Sequence, residues 1–457
     1  MTGIETGERN INRLFGARSV AVVGASQDPE KVGHIALASI LNGGFSGHVY
    51  PINPKLDQVL GLRAYPSLSQ VPGELDLAVV AIPAPYVRDV LREAAGKGTG
   101  AAIVLSGGFR EAGRADLEQE LADVVRDTGL RIVGPNCQGV NYLPNKLFAS
   151  FWFPPVMAGP IAVVSQSGTV ASALTGWAAD DSLGVSATVC LGNQVDLCET
   201  DMIRFLADDP QTHAMALYLE GAKDGRHFMD VLKRVAPKKP VVILKSGGTP
   251  EGQRAAASHT CSLAGRDEVF DAVCRQSGAV RAPDLESLYD MAKALGTMAP
   301  PRGNRLFVIT TSGGASTLAV DEAERQGLTI PRLPASLVEG LKDVGLPRTA
   351  VLSNPLDTTF CTAVEYGAAL SAVDRYDVAD VYLVTFGDPI QGAAELVKKL
   401  RATTRASVAV AFLGGGEVEK LERPRMQAAG IPVFPTTERA VRGIAAAVRW
   451  AARFGKP

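Results

Sequence analysis

One histidine, His259, lies in a setting that suits a nucleophile. Of the five histidines, it alone lies in a run of small residues, 255–260, which follows the glycine-containing stretch 245–249. An unperturbed imidazole is largely neutral at pH 7, so it attacks an electrophile without first losing a proton. We interpret His259 as a candidate carrier of a phosphoryl group, with a surface or packing role as the alternative. The remaining histidines are interpreted as structural: His34, His48, His213 and His227.

A carboxylate is placed to assist this histidine. Glu220 follows the apolar segment 214–219 and precedes Gly221, which is typical of a loop at the carboxyl end of a strand. A carboxylate there can orient the imidazole through its second nitrogen and stabilise positive charge on the ring. Glu220 is therefore predicted to be the partner of His259.

Two similar turns are candidate phosphate sites. Each lies between an apolar segment and a segment of helical length, and together they comprise Ser165, Gln166, Ser167 and Gly168, then Ser312, Gly313 and Gly314. Unpaired N–H groups and the positive end of the helix dipole at such a start bind anions. Two helix starts from different domains could hold one phosphate from opposite sides. The alternative is that both are ordinary connections of an α/β fold.

A third motif lies near the N-terminus. The segment 19–24 ends in Gly24, Ala25 and Ser26, and a helix is predicted to begin near residue 33 after a loop that contains Lys31. Glycine lets the backbone approach a ligand phosphate, but the third glycine of GxGxxG is missing. Lys55 lies where an acid would hold the ribose of NAD, so the motif argues against NAD and suits a nucleotide with an extra phosphate. A purely structural tight turn is the alternative.

The elements that must position these residues follow an α/β pattern. Apolar runs alternate with amphipathic stretches of helical length, as in parallel sheets covered on both faces. The predicted strands are 19–24, 48–51, 75–82, 101–105, 131–134, 161–164, 186–190, 214–219, 240–245, 306–310, 381–385, 407–412 and 431–434. The stretch 148–160 is interpreted as a connection and 296–304 as a linker. We predict three consecutive doubly wound domains, 1–150, 151–298 and 299–457, with ligand loops at the carboxyl ends of the strands.

Composition excludes several classes of protein. Lys plus Arg number 46 and Asp plus Glu number 48, so a net charge of −2 gives no bulk attraction to nucleic acid or to an anionic membrane. No apolar run is long enough to span a membrane and the N-terminus is polar, which predicts a cytoplasmic protein. The six cysteines are scattered without a CxxC, so neither a disulfide framework nor a metal site is expected.

Taken together, the motifs resemble those of one family. They are the residues 19–26 (SVAVVGAS), 49–55 (VYPINPK), 134–139 (GPNCQG), 165–168 (SQSG), 218–221 (YLEG) and 257–260 (ASHT). In type and order they are similar to the nucleoside-diphosphate-forming acyl-CoA synthetases, in particular the alpha subunits of ADP-forming acetyl-CoA synthetases, which are relatives of succinyl-CoA synthetase. The resemblance runs from about residue 14 to the C-terminus. It implies a Rossmann-like CoA-binding domain followed by two flavodoxin-like ligase domains.

The resemblance also implies roles for individual residues. His259 would be the phosphohistidine, Glu220 its partner, and the two turns would hold the phosphate. Coenzyme A would lie along Gly24, Ala25, Ser26, Lys31, Lys55, Val79, Ala81, Pro83, Ser106, Gly107 and Asn136. The motif 354–357 also matches the family, without an assigned role. Cys261 is a departure, because the family has glycine there and a cysteine restricts the backbone beside His259.

The implied activity is acid + CoA + ATP ⇌ acyl-CoA + ADP + phosphate, through an acyl phosphate and the phosphohistidine. The 457 residues leave no room for an ATP-grasp domain, so ATP or ADP and Mg²⁺ are expected on a separate beta subunit of a hetero-oligomer. Two alternatives are a catalytically inactive regulatory protein that binds CoA or acyl-CoA and, less favoured, an NAD(P)-dependent oxidoreductase. The acid, the physiological direction, the nucleotide preference and the oligomeric state stay open.

Overall fold

The computed structural model describes residues 11–152, 154–254 and 266–455. Their chain forms two compact units. The first comprises Met1–Ala179, Gly184–Val235 and Ile243–Ser277, and the second comprises Asp180–Leu183, Ala236–Val242 and Gly278–Pro457. None of the helices in the described ranges is long and apolar enough to cross a membrane.

The described residues form the following helices and strands. The helices are α1 (Val32–Asn42), α2 (Val87–Gly96), α3 (Ala115–Thr128), α4 (Gly168–Asp180), α5 (Glu199–Asp208), α6 (Gly225–Val235), α7 (Asp267–Ser277), α8 (Leu285–Thr297), α9 (Gly313–Arg325), α10 (Ala335–Lys342), α11 (Ala363–Asp374), α12 (Ala393–Thr403), α13 (Gly416–Ala428) and α14 (Thr437–Phe454). The strands are β1 (Ser19–Val23), β2 (His48–Ile52), β3 (Gln58–Val59), β4 (Leu62–Arg63), β5 (Leu77–Val80), β6 (Ala101–Val104), β7 (Arg131–Val133), β8 (Gly139–Tyr142), β9 (Leu147–Ser150), β10 (Ala158–Ser165), β11 (Val185–Cys190), β12 (Ala214–Leu219), β13 (Val241–Lys245), β14 (Val280–Arg281), β15 (Leu306–Thr310), β16 (Val351–Leu352), β17 (Leu356–Asp357), β18 (Val381–Phe386), β19 (Ser407–Phe412) and β20 (Val433–Phe434).

The first sheet is parallel and has the strand order β2-β1-β5-β6-β7. Its central strands are fully buried because helices cover both faces, which explains why β1 and β5 consist of Val, Ala, Leu and Ser. Parallel strands place their carboxyl ends at one edge, where ligands bind in open α/β sheets. The loops after β1, β2, β5 and β6 therefore meet at that edge.

The second sheet has the order β14-β13-β12-β10-β11-β8-β9. Strands β11, β10 and β12 are parallel, whereas β8 runs antiparallel to β11 and forms a hairpin with β9. Both hairpin strands lie before residue 151 and were not predicted; β9 occupies part of the stretch interpreted as a connection. The short segments of β8 and β9 lack a strong hydrophobic period. They are strands because β8 pairs with β11 and β9 pairs with β8.

The third sheet lies in the second unit, with the order β16-β17-β15-β18-β19-β20. All its pairs are parallel except β16 with β17. Alternate residues of β15 enter different cores: Phe307 and Ile309 pack with Tyr366 on one face, and Leu306 and Val308 pack with Ile444 on the other. The α/β class predicted from the apolar periodicity is confirmed by these sheets.

Candidate active site

The turn after β1 brings three backbone segments into direct contact. Gly24 has a φ of +87°, and a Cβ atom there would lie 2.3 Å from the carbonyl oxygen of Ala81. Gly33, in the first turn of α1, is equally constrained, because its Cβ would lie 2.0 Å from the carbonyl oxygen of Gly24. Only glycine fits at these two positions. Gly33 thus supplies the close helix-to-turn packing for which the sequence pattern lacked a third glycine.

The loop between β1 and α1 ends in a lysine at the helix start. Ser26 accepts a hydrogen bond at its carbonyl oxygen from Nδ1 of His34 at 2.8 Å, and its hydroxyl accepts the amide of Asp28. Lys31 is the exposed N-cap residue of α1, and no side chain caps this helix start. An uncapped helix N-terminus beside an ammonium group attracts an anion.

The loop after β2 is tied to the same turn. Asn53 donates from Nδ2 to the carbonyl oxygen of Ala25 at 2.8 Å and accepts the amide of Lys55 at 2.9 Å. Ala25 is buried, whereas Lys55 is exposed. Asn53 thus fixes the backbone from which the Lys55 ammonium extends, and no carboxylate follows β2 at this point.

Most of the predicted CoA contacts on β5 and β6 lie at the sheet edge, but one does not. Ala81 is half-buried and Pro83 exposed, while the Ser106 hydroxyl accepts the amide of Ile82 at 3.1 Å and so joins the two strand ends. Val79 lies inside β5 with 0% of its surface exposed. Its expected role in lining the CoA path is corrected, because a side chain without exposed surface presents nothing to a ligand.

A carboxylate that the sequence analysis missed organises the loop after β6. Oε1 of Glu111 accepts the amides of Gly108 and Phe109 at 2.7 and 3.1 Å, and Oε2 accepts from Nδ2 of Asn193 at 2.6 Å. Burial raises the pKa of Glu111, but these hydrogen bonds outweigh burial and the net pKa is lowered. Glu111 lies three residues after Gly108, close enough along the chain for its carboxylate to accept the amides of the turn. This short spacing is the feature of the sequence that could have identified it.

Asn136 reaches the same cluster from the end of β7. It follows a cis Gly134–Pro135 bond, has a φ of +55° and is exposed. Its amide donates to the carbonyl oxygen of Ser106 at 2.8 Å, and its Nδ2 donates to Oδ1 of Asn193 at 3.3 Å. The exposed Gly107 lies beside it, with a hypothetical Cβ 3.2 Å from Oδ1 of Asn136. The structure therefore brings Ser106, Gly107 and Asn136 together.

The turn after β10 is an internally bonded helix start. The buried Ser165 hydroxyl donates to the carbonyl oxygen of Ser167 at 2.6 Å and accepts its amide at 3.1 Å. Gly168 is the first residue of α4, and a Cβ there would lie 2.5 Å from Cδ of Gln138. Ser167 and Gly168 are half-exposed at the carboxyl edge of the second sheet.

The side chain of Gln166 connects this turn to Glu220. Its Oε1 accepts the amides of Glu220 and Gly221 at 2.5 and 3.3 Å, and its Nε2 donates to the carbonyl oxygen of Gly221 at 2.8 Å. Glu220 directly follows β12 and is 6% exposed. The first predicted turn and the predicted carboxylate are thus neighbours within one unit. Sequence reasoning had considered the backbone amides of this turn and missed the use of the Gln166 side chain.

The strand that precedes His259 in the sequence ends beside Glu220. Strand β13 ends at Lys245, and the amide of Ser246 donates to the carbonyl oxygen of Leu219, the residue before Glu220, at 2.9 Å. His259 and Cys261 themselves lie outside the described residues.

The second predicted turn is built like the first. The Thr310 hydroxyl accepts the amide of Ser312 at 2.9 Å and donates to its carbonyl oxygen at 3.0 Å, as Ser165 does with Ser167. Ser312 caps α9 by accepting the amide of Ala315 at 3.4 Å, and Gly313 and Gly314 are exposed. The two helix starts therefore share one local design, each in its own unit.

The motif 354–357 supports the second turn. Asn354 accepts the amide of Val308 at 3.0 Å and donates to the carbonyl oxygen of Leu306 at 2.9 Å, so it ties this segment to β15. The carboxylate of Asp357 lies 2.9 Å from the position of a hypothetical Cβ on Gly313. The motif thus has a structural role beside the start of α9.

Two families match parts of the chain. Residues 18–142 match the family described as CoA binding domain, and residues 158–295 match the succinyl-CoA ligase like flavodoxin domain. These ranges contain the turn after β1 and the turn after β10, respectively.

Similar proteins cover almost the whole chain. The acetate–CoA ligase [ADP-forming] I subunit alpha of Pyrococcus furiosus is 36% identical over 96% of this chain and 98% of its own length. The 4-hydroxybutyrate–CoA ligase [ADP-forming] of Nitrosopumilus maritimus is 33% identical over 96% of this chain and 64% of its own length. A solved structure of the dinucleotide forming acetyl-coenzyme A synthetase 1 of Ca. Korarchaeum cryptofilum, in complex with phosphate and ADP, has a TM-score of 0.89 at 35% identity and covers 97% of each chain.

Proposed function

This chain belongs to the family of ADP-forming acetate–CoA ligase alpha subunits, and we propose that His259 carries the phosphoryl group between an acyl phosphate and a nucleotide. The chain acts as the subunit of an acid–CoA ligase that works with a beta subunit. The comparisons do not favour a regulatory CoA-binding protein or an NAD(P)-dependent oxidoreductase. We further propose that the beta subunit is an ATP-grasp chain that binds ATP or ADP and Mg²⁺.

The observation that carries this proposal is the contact between Gln166 and the Glu220–Gly221 backbone. It joins a helix start suited to phosphate and a carboxylate suited to a cationic imidazole at one sheet edge. In-line phosphoryl transfer depends mainly on positioning and on neutralising charge, and a helix start beside Glu220 is suited to both.

The proposed reaction has three balanced steps, written toward nucleotide synthesis. Phosphate displaces CoA from acyl-CoA, which forms the acyl phosphate and releases the thiol. His259 attacks phosphorus, so a P–N bond forms while the P–O bond to the acyl group breaks and the carboxylate leaves. Transfer of the phosphoryl group to ADP on the beta subunit restores the neutral ring. Glu220 stabilises the positive charge that the ring carries in between.

The residues at the edge of the first sheet fit coenzyme A, which supplies the reacting thiol. Exposed Lys31 lies at the uncapped start of α1, and exposed Lys55 follows β2 in the place of a ribose-binding acid, on a backbone that Asn53 ties to Ala25. This arrangement suits a ligand with several phosphates. Ser106, Gly107 and Asn136 lie at the same edge, and we assign them to the end that carries the thiol.

We assign CoA binding to 1–150, the phosphoryl carrier to 151–298 and the second phosphate-binding turn, Ser312–Gly314, to 299–457. The shared design of the two helix starts supports the last assignment. Strand β8, inside the first range, pairs with β11, and β9 pairs with β8, so the first two functional regions share a sheet.

Labelled ATP and Mg²⁺ test the proposal on the chain co-expressed with its beta subunit. We expect acid-labile, alkali-stable label on this chain, lost in His259→Ala and retained in His227→Ala, a control at an exposed position of α6. Label that persists in His259→Ala, or a wild-type complex that takes up none, would refute the assignment.

A further inference from the structure

Behind Glu220 lies a chain of three polar side chains. Nε2 of Gln166 donates to Oε1 of Gln194 at 3.0 Å, and Nε2 of Gln194 donates to Oε2 of Glu199 at 3.0 Å. Gln194 follows β11 and Glu199 is the first residue of α5, so these hydrogen-bonded side chains link three loops of the first unit. It ends on a buried carboxylate that the proposed reaction does not use.

The backbone around Glu220 dictates the direction of every bond in this chain. The two amides at Glu220 and Gly221 can only donate, and the Gly221 carbonyl can only accept, so Oε1 and Nε2 of Gln166 each have one allowed position. Gln194 must therefore accept at Oε1, which leaves its Nε2 to donate. The last hydrogen bond of this series therefore requires an acceptor at position 199.

Burial makes the last link costly to lose. Gln194 and Glu199 are 5% and 1% exposed, so water does not replace a missing partner. The backbone of Gln194 has a φ of +56°, and its carbonyl oxygen accepts from Nζ of Lys223. Burial raises the pKa of the Glu199 carboxyl, while the bond from Gln194 and the charge of Lys223 oppose that rise.

We propose that Gln194 and Glu199 are positioning residues, which hold the Glu220–Gly221 backbone in place through the side chain of Gln166. The requirement at position 199 is a hydrogen-bond acceptor and does not depend on the negative charge. The consequence for phosphoryl transfer rests on the proposed function, whereas the consequence for the backbone does not.

Hydrogen exchange of the Glu220 and Gly221 amides tests the backbone part. Glu199→Met keeps the size and removes the acceptor, so we expect these amides to exchange about 10-fold faster or more. Glu199→Gln retains an acceptor and is expected to stay within about threefold of wild type, because its Oε1 can take the place of the carboxylate. Gln166→Met, which removes the acceptor of both amides, sets the upper limit.

A matched control separates this effect from general destabilisation. Glu422→Met removes a buried carboxylate in the second unit, where it accepts the amide of Ala394 at 2.7 Å. It should leave exchange at Glu220 and Gly221 unchanged. If Glu199→Met does not fold, Gln194→Met breaks the same chain one link earlier. Unchanged exchange in the variant that folds, or equal acceleration by Glu199→Gln, overturns the proposal.

The rate of phosphoenzyme formation tests the catalytic part in the complex with the beta subunit. Glu199→Met should slow phosphorylation by about 10- to 100-fold and leave the Kd for CoA within about twofold, while Glu199→Gln remains near wild type. Faster exchange without slower phosphorylation would refute the catalytic consequence alone. A wild-type complex that is never phosphorylated would refute the proposed function, and the exchange data would still decide the positioning role.

Discussion

A methyl group added at Gly33 tests whether the first sheet binds CoA at the turn after β1. In Gly33→Ala the new Cβ would lie 2.0 Å from the carbonyl oxygen and 2.7 Å from the carbonyl carbon of Gly24. Gly24 is itself confined, because a Cβ on it would lie 2.3 Å from the Ala81 carbonyl oxygen and its amide donates to the carbonyl oxygen of Ile52 at 3.0 Å. The start of α1 must therefore shift by more than about 1 Å to restore contact at normal van der Waals distance.

The size of the effect follows from this geometry. Overpacking of a rigid site costs about 1–3 kcal/mol of unfolding free energy, and backbone atoms on both sides place Gly33→Ala toward the upper end. A displaced helix start also loses its favourable interaction with a bound phosphate, about 1–2 kcal/mol when partly buried. The Kd for CoA should rise about 5- to 30-fold.

Titration calorimetry with CoA and urea unfolding measure these two effects. Gly96→Ala is the matched control, because Gly96 ends α2 and a Cβ there meets no atom within 4 Å. The control should gain about 0.5–1 kcal/mol of stability and bind CoA as wild type does. If Gly33→Ala binds CoA within twofold of wild type and unfolds at the same urea concentration, the turn has neither the packing nor the binding role described here.

Four further predictions concern other sites. Lys55→Ala should raise the Kd for CoA about three- to tenfold in calorimetry and leave the Kd for 3′-dephospho-CoA unchanged. Equal losses of affinity for both ligands would contradict a contact between Lys55 and the ribose phosphate. Glu111→Ala should lower the free energy of unfolding by about 1–3 kcal/mol and weaken CoA binding, because two loop amides lose their acceptor; an unchanged Kd would separate this loop from the ligand. Burial raises the pKa of Asp76, but hydrogen bonds from Arg18, Arg13 and Ser19 outweigh burial and lower this pKa below 3.8. The ionised Asp76 therefore stabilises the fold above about pH 4, and this stabilisation is lost as the pH falls through the folded-state pKa. Asp76→Asn should therefore flatten the acid limb of the Tm profile, and a parallel limb would disprove this linkage. Lys293 is fully buried, and its ammonium lies 2.8 Å from the Asp181 carboxylate. Lys293→Met should therefore lower the free energy of unfolding in urea by about 3–5 kcal/mol, whereas Lys398→Met, which breaks an exposed ion pair, should lower it by less than about 0.5 kcal/mol. Similar losses in the two variants would refute the role of burial.

Local patterns were sufficient for the central strands and for the helix starts. The apolar segments 19–24, 161–164 and 306–310 match β1, the end of β10 and β15 closely, because fully buried parallel strands are continuous runs of apolar residues. The Ser165 and Ser312 turns were recognisable as strand-to-helix connections because serine and glycine are favoured at turns and helix starts.

Nonlocal contacts were not predictable in the same way. The hairpin of β8 and β9 exists because β8 pairs with β11, which follows some 40 residues later. Val79 was assigned to a ligand path although its side chain is fully buried. Asn193 and Glu111 meet across 82 positions, and no sequence pattern near either residue announces the other.

The amino-acid sequence by itself determined the α/β class, the order of the central strands along the chain, and the glycine, serine and lysine residues of the candidate anion-binding turns. These depend on periodicity and on side-chain chemistry over a few residues. Only the tertiary structure decided that Gly33 closes the turn at Gly24, that Val79 is enclosed, and that Gln166 holds the Glu220 backbone. These outcomes depend on distances between segments far apart in the chain, which packing sets and local pattern does not encode.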